Sequence, residues 1–472
     1  MIRARIPADE VTLWSIVEEH LDEAGFLYWM RRGCLQSPEY DLDKIAAAPE
    51  ARLLAHVDAL VVGGRAVRER ILLPAVHDEQ ADPERVAAAA LALLSSEHPQ
   101  LALELVVAAL PRHRGERLEA LGEALSLARI PEAPRRLVAA LAKDPEPAVA
   151  AVALRALAAY RADPGPMLDG FLRSEEPATV QAALRVAAAV PRRDRLRACE
   201  RLLGSENATT RDRALDAALL MGSDRAWSLC VERAINPVNA DQHCVFLCGL
   251  LGEAREHERL ARLLDAGTLV PAVLWSMGFA GRPCHAESAI GLLDHPTERV
   301  AKLAGEVFTS VTGYVPAKPD AGSAGAREPD DDEPVAFYED DLDADLVPAH
   351  ADQLPALDRG AAQAWWDEHR DRFVATSRYV LGQPLSIAAV HRALRRGSAR
   401  RRPPWALGLQ IASGGRYVVS TGALCEHQSR ELESFATSDP TVLGLLLDGG
   451  RSAGGRRDTD RIQPSLASDG TA

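Results

Sequence analysis

Apolar positions recur along this chain at helical spacing, and between Asp82 and Gly313 a pair of them returns at a nearly fixed interval. The pair is a small residue followed by an aliphatic one, late in each helical stretch. It occurs as Ala92-Leu93, Ala124-Leu125, Ala153-Leu154, Ala183-Leu184, Ala214-Leu215, Cys244-Val245 and Val273-Leu274, and Leu303 closes the series after Lys302. Successive aliphatic members stand 32, 29, 30, 31, 30, 29 and 29 residues apart. A period of that size marks a stacked array in which each unit is a pair of short helices. Within one unit, Pro147–Tyr160, the residues Val149, Val152, Ala153 and Ala156 share a helical face that Leu154 and Leu157 broaden. Asp144, Pro145 and Pro147 precede it where a cap and a first-turn proline belong. The small residue allows close helix approach and the aliphatic one fills the layer between units. One hairpin cannot bury its apolar face alone, so the units must stack.

The layout resembles HEAT repeats, in particular the short bacterial form with an Asp-Pro turn before the second helix. The resemblance covers about half of the chain and implies an all-α fold: an α-solenoid of helical hairpins. Residues 1–80 read as an N-terminal helical cap, with helices expected at Asp9–Leu21, Asp41–Ala48 and Glu50–Val62 and an apolar group at Phe26, Leu27, Trp29 and Met30. Residues 81–315 form the array. Residues 316–354 read as an acidic linker, in which twelve acidic residues face two basic ones between Lys318 and Asp352. Residues 355–448 read as a small, mostly helical C-terminal domain with helices over Asp358–Phe373 and Ser386–Arg396. The stretch Ala406–Ser413 suits either a helix started by Pro403-Pro404 or a hairpin turned at Gly414-Gly415, and the helix is favoured. Residues 449–472 read as a disordered tail.

A second resemblance spans nearly the whole chain. FLYWMRR near the start, VFTSVTG at the end of the array, DLDADLVP, AQAWWDEHRDRF and RYVLGQP together are similar to an uncharacterised bacterial family, some of whose members look to be encoded near type VI secretion genes. The sequence departs from that pattern at Pro403-Pro404. The family implies no catalytic residues, so the residues themselves must be searched.

That search finds few chemistries. None of the four lysines follows a glycine, so there is no phosphate-cradling Gly-Lys loop. The one G-x-S-x-G match, Gly450–Gly454, falls in the polar C-terminal tail without the strand-to-helix setting of a nucleophile elbow, and no H-E-x-x-H pair occurs. Cys230, His243, Cys244, Cys248, His257, Cys284 and His285 are the one collection with ligating side chains, and the i, i+4 spacing of Cys244 and Cys248 suits zinc. The repeat register argues otherwise: it puts both cysteines in columns held elsewhere by alanine and leucine, as small core residues. No metal or cofactor is therefore expected. Seven cysteines without close regular spacing suit reduced thiols, and the acidic, weakly apolar start is no signal peptide, so a cytoplasmic location is expected. No stretch is long and apolar enough to span a bilayer.

Interaction is the remaining function. The column after each marker aliphatic runs Arg155, Arg185, Asp216, Phe246, Trp275, from charged to aromatic. It would line a groove, or else its aromatic members pack between helices. The one dense basic patch is Arg392, Arg395, Arg396, Arg400, Arg401 and Arg402, beside Trp405. The leading expectation is a non-enzymatic protein–protein scaffold or adaptor that uses Arg155, Arg185, Asp216, Phe246, Trp275, Arg400, Arg401, Arg402 and Trp405. Nucleic-acid binding through the arginine patch is the alternative, although a formal charge of −14 opposes it for the whole chain. An enzyme or lyase-chaperone of unrecognised type is the third reading.

Overall fold

The computed structural model describes residues 13–236, 240–267, 269–316 and 353–436. The acidic linker and the C-terminal tail lie outside the described residues almost entirely.

The chain is an all-α solenoid. It begins with a cap made of α1 (Trp14–Cys34) and α2 (Ala51–Val62). The array follows as pairs: α3 (Pro83–Leu94) and α4 (Pro99–Ala109), α5 (Gly115–Ala128) and α6 (Ala133–Leu141), α7 (Pro147–Ala159) and α8 (Met167–Phe171), α9 (Pro177–Ala189) and α10 (Leu196–Leu202). Next come α11 (Ala208–Leu220) and α12 (Asp224–Ile235), α13 (Gln242–Leu251) and α14 (Ala254–Asp265), α15 (Val270–Ala280) and α16 (Pro283–Ile290), and the closing α17 (Glu298–Thr312). The odd-numbered helices α3 to α17 carry the marker pairs, and every marker aliphatic from Leu93 to Leu303 is buried. Their small partners are buried too, except Lys302, which lies partly buried and pairs with Glu298. Neighbouring marker helices pack side by side along the ladder, and the even-numbered helices cover its other side. Alanine at the contact brings the backbones close, which is why so few aromatics are needed to fill it.

One step of the ladder is weak: α11 and α13 barely touch each other directly. Here Asp216 of α11 accepts a 2.8 Å hydrogen bond from His243 Nε2 of α13, and a helix from the C-terminal segment lies across both.

The cap departs from the expected boundaries. α1 continues past Leu21, where the expected first helix ended, because Leu21, Ala24, Leu27 and Tyr28 extend one buried stripe against α2 and α3. The two further helices expected there are joined by one wide helical turn, Ala46–Glu50, that accommodates Pro49.

The C-terminal segment comprises α18 (Arg359–His369), a two-stranded hairpin β1 (Tyr379–Val380) and β2 (Gln383–Pro384), α19 (Ile387–Arg396), α20 (Arg402–Ala412) and α21 (Cys425–Ala436). The helix over 402–412 is the favoured of the two sequence readings. The hairpin lies elsewhere, turned by Leu381 and Gly382, both at positive φ. The segment is not a separate module beside the array. It runs back along the marker-helix face: Leu357 packs on Gly305 of α17, α20 on α11 and α13, and α19 and α21 on the cap turn after Asp41.

Candidate binding groove and its occupant

The column read from the repeats does face one side of the ladder. Arg155 pairs with Glu119 of the preceding unit. Arg185 lies beside Arg213 and Arg155, and burial together with these two cations pulls its guanidinium down to about 10. Asp216 is buried and held by His243, whose imidazole is driven above its usual range by Asp216 against the opposing effect of burial. Phe246 and Trp275 both meet Phe279 edge to face, at 5.7 and 4.9 Å between centroids.

This face is filled by the chain's own C-terminal segment. Trp405 of α20 meets Phe279 edge to face at 5.4 Å, so it extends the aromatic end of the column. Gln410 donates to the Ala188 carbonyl at 3.0 Å, and Arg161 pairs with Glu431 of α21. A cavity of about 210 Å³ remains between Arg185, Arg213 and Asp216 on one side and Leu407, Gln410 and Ser420 on the other. The charged end of the column is thus roofed in cis and the aromatic end is packed.

The arginine patch is divided rather than displayed. Arg402 is fully buried and donates to the Leu394 carbonyl and to Gln428 Oε1, both at 2.5 Å. Arg400 and Arg401 lie over the Trp275 ring, 4.7 and 5.0 Å from its centroid, and share Glu306 at 3.6 and 3.7 Å. Arg395 and Arg396 reach Asp43 of the cap. Of the expected basic surface, Arg400, Arg401 and Arg402 face inward with Trp405. A run of arginines implies a surface because arginine is seldom buried without partners, and here the partners come from distant parts of the chain.

Two residues that sequence reasoning passed over hold the segment in place. Arg378, in the RYVLGQP stretch, is buried where α13 and α15 end. It donates to the carbonyls of Leu250 at 2.9 Å, Phe279 at 3.0 Å and Ala280 at 3.1 Å, with Gly249 at 3.4 Å. Those oxygens carry the negative ends of two helices. Burial, then Arg282, pulls Arg378 down to about 9, so it stays charged near neutrality. Next to it the hairpin bonds to helix-terminal backbone: Tyr379 N to Gly281 O at 2.7 Å and Leu381 N to Ser310 O at 2.7 Å. Gly281 is at positive φ, and a Cβ there would meet the Tyr379 oxygen at 2.3 Å, so only glycine allows the approach. At the other end Glu50, in the cap, accepts from Arg31 Nε at 2.7 Å and from the Cys425 amide at 2.5 Å. Arg31 also donates to the Ala423 and Gly422 carbonyls. A carboxylate from residue 50 therefore caps the helix that starts at residue 425.

The ligating side chains are dispersed. Cys230, Cys244 and Cys248 are buried together, and hydrogen bonds to the other two thiols, followed by burial, push the Cys230 thiol well above its usual range. His257 and His285 are a buried edge-to-face pair at 6.1 Å, and Cys284 is exposed. Among the described residues no group of three or more His, Cys, Asp or Glu side chains is arranged to hold a metal ion. Nor is any described helix long and apolar enough to cross a membrane.

No protein-family model and no curated protein matches this chain.

Proposed function

We propose that this protein is a non-enzymatic interaction scaffold that presents the ends and outer side of a solenoid rather than its groove. The groove is occupied by the chain's own C-terminal segment, so a partner needs another surface. The observation that carries the reading is on α1, the first described helix of the cap. Phe26 and Trp29 lie side by side there, 6.0 Å between centroids, and are 49 % and 46 % exposed. Large aromatics on a rigid helix are the side chains that dominate protein interfaces. Their neighbours Leu27 and Tyr28 are buried, so the pair is anchored from behind. The resemblance to a bacterial family, some of whose members look to be encoded near type VI secretion genes, supports a secretion-associated adaptor as the specific setting.

The test is cross-linking and affinity capture from the cells that make the protein, comparing the native chain with Phe26→Ala/Trp29→Ala. Both side chains are substantially solvent-exposed, so folding should change by only about 0.5 kcal/mol. One defined partner should be captured by the native chain and lost, by tenfold or more, from the variant. A set of captured proteins that the variant leaves unchanged would overturn this surface. A captured partner outside any secretion machinery would overturn the setting alone.

A further inference from the structure

A second cavity, of about 180 Å³, lies where α15, α17 and α19 meet the chain entering α18. Its walls are largely apolar: Leu354, Leu357, Val380 and Trp405 contribute most of the large side chains. The polar groups on it are Arg401, Glu306, Ser398 and two hydroxyls, Thr309 and Ser310. Arg401 and Glu306 are each only 7 % exposed. Both Nη atoms of Arg401, Oε1 of Glu306 and Oγ of Ser398 are buried without a hydrogen-bond partner, as is Nη1 of the adjacent Arg400. Arg401 is fixed in place. Its Cζ sits 4.0 Å from the Phe279 ring centroid, and a Cβ on Gly278 would come within 2.7 Å of Nη2.

The charge balance is the second argument. The buried Arg401 and the partly buried Arg400 share one carboxylate, at 3.7 and 3.6 Å, beyond hydrogen-bonding distance. Arg401 therefore has no counter-ion at hydrogen-bonding distance in apolar surroundings, which is costly unless an anion joins it. We propose that this cavity is a carboxylate-binding site. It would take a short-chain organic acid whose two oxygens accept from the Arg401 fork and whose apolar tail lies against Leu354, Leu357 and Trp405. A planar guanidinium with both Nη groups free matches a carboxylate in bidentate fashion. The volume is below the roughly 300–1,000 Å³ of sites for drug-sized ligands, so a small acid is the fitting class. Two sources carry this chemistry: a free acid, or one of the carboxylates of residues 320–352, which lead directly into Gln353 and Leu354.

The experiment is thermal unfolding and calorimetric titration of the full chain with acetate, butyrate and hexanoate at pH 7, at constant ionic strength against chloride. A parallel variant carries amides in place of all twelve acidic residues between Asp320 and Asp352. Saturable stabilisation of the native chain shows a free acid as ligand. Stabilisation of the amide variant alone shows that the chain's own carboxylate fills the site. No saturable response in either overturns the proposal. Glu306→Gln removes the competing carboxylate and should tighten binding several-fold, while Ser398→Ala should weaken it two- to fivefold. Equal affinity in both would also overturn the proposal, and neither substitution depends on the folding of an Arg401 variant.

Discussion

The array and the C-terminal segment bury comparable kinds of surface but are held by different forces. In the array each helix repeats its neighbour, and the contact is alanine against leucine at a fixed register. In the segment from Leu357 to Ala436 the joints are single polar residues that reach far along the sequence: Arg378 to helix ends in α13 and α15, Arg31 and Glu50 to α21, Arg400 and Arg401 to Glu306. Repetition spreads stability over many equivalent contacts. A polar joint concentrates it, because each buried donor left without its acceptor costs its full desolvation. The first region should therefore respond to substitutions gradually and the second abruptly.

The largest effect should come from the joints. Arg378→Ala leaves helix-terminal carbonyls buried and unpaired at the meeting of α13, α15 and β1, and is expected to cost about 3–5 kcal/mol. Glu50→Gln should cost a similar amount, since it leaves Arg31 as a buried charge without its counter-ion. Urea unfolding gives the magnitude, and hydrogen exchange shows where it falls. Amides of α20 and α21 should lose protection while those of α7 and α9 keep theirs. If both regions lose protection together, the array and the C-terminal segment form one cooperative unit and are not held differently.

Acid should find the same junction. His257 Nδ1 accepts from Arg282 Nε at 3.1 Å, and its Nε2 faces the Gly249 carbonyl, so the ring is held neutral. Burial, then Arg378, holds it well below the usual histidine range. Burial pulls His285 down to about 4. Both folded values lie below the unfolded value of about 6.5. The unfolded chain thus binds protons first as pH falls. The stability is complete above pH 6.5 and is lost as pH drops towards 4. His285 alone accounts for about 3 kcal/mol over that window. Stability measured from pH 7 to 4 should show this slope, and His285→Asn should flatten it. An unchanged slope would place the acid sensitivity elsewhere.

How much of this was legible in the sequence follows from the same contrast. The ladder could be read because its information is local and repeated: Ala153-Leu154 predicts the burial of Ala183-Leu184, and the register correctly moved Cys244 and Cys248 into the core. The same register isolates the column Arg155 to Trp275, but not the face that it lines. Its occupant was not legible, because nothing near Trp275 in sequence announces Arg400, and nothing near Gly249 announces Arg378. Arg378 stood inside a stretch singled out by resemblance, yet a lone arginine before Tyr379 has no pattern that marks it as a cap for helices about 100–130 residues earlier. Arg400, Arg401 and Arg402 were read as a surface for the same reason. Charge is assigned to solvent by default, and only long-range contacts reveal a buried counterpart such as Glu306 or Gln428.

A milder effect is expected inside the ladder. Ala183→Leu adds volume at a contact between α9 and its neighbours α7 and α11, where Ala183 is fully buried. Overpacking of this kind costs about 1–3 kcal/mol. The strain should be shared by adjacent units, so protection should decline modestly from α7 to α11 and not at α21. A loss confined to the C-terminal segment would mean that α20, not the repeat contact, governs this part of the ladder.

The smallest effect tests whether the segment's grip on the cap owes anything to surface charge. Arg396 Nη1 lies 2.7 Å from Asp43 Oδ2, yet the arginine side chain is 61 % exposed. Such pairs contribute roughly 0.2–1 kcal/mol, and salt screens them. Arg396→Ala should therefore shift the urea midpoint slightly at low salt and not at all at about 1 M. The buried Arg31–Glu50–Cys425 cluster crosses the same boundary and should keep its contribution in salt. If high salt alone releases α21 from the cap, the surface pair outweighs the buried cluster. The view that concentrated, desolvated polar joints hold this segment would then be wrong where it meets the first helices.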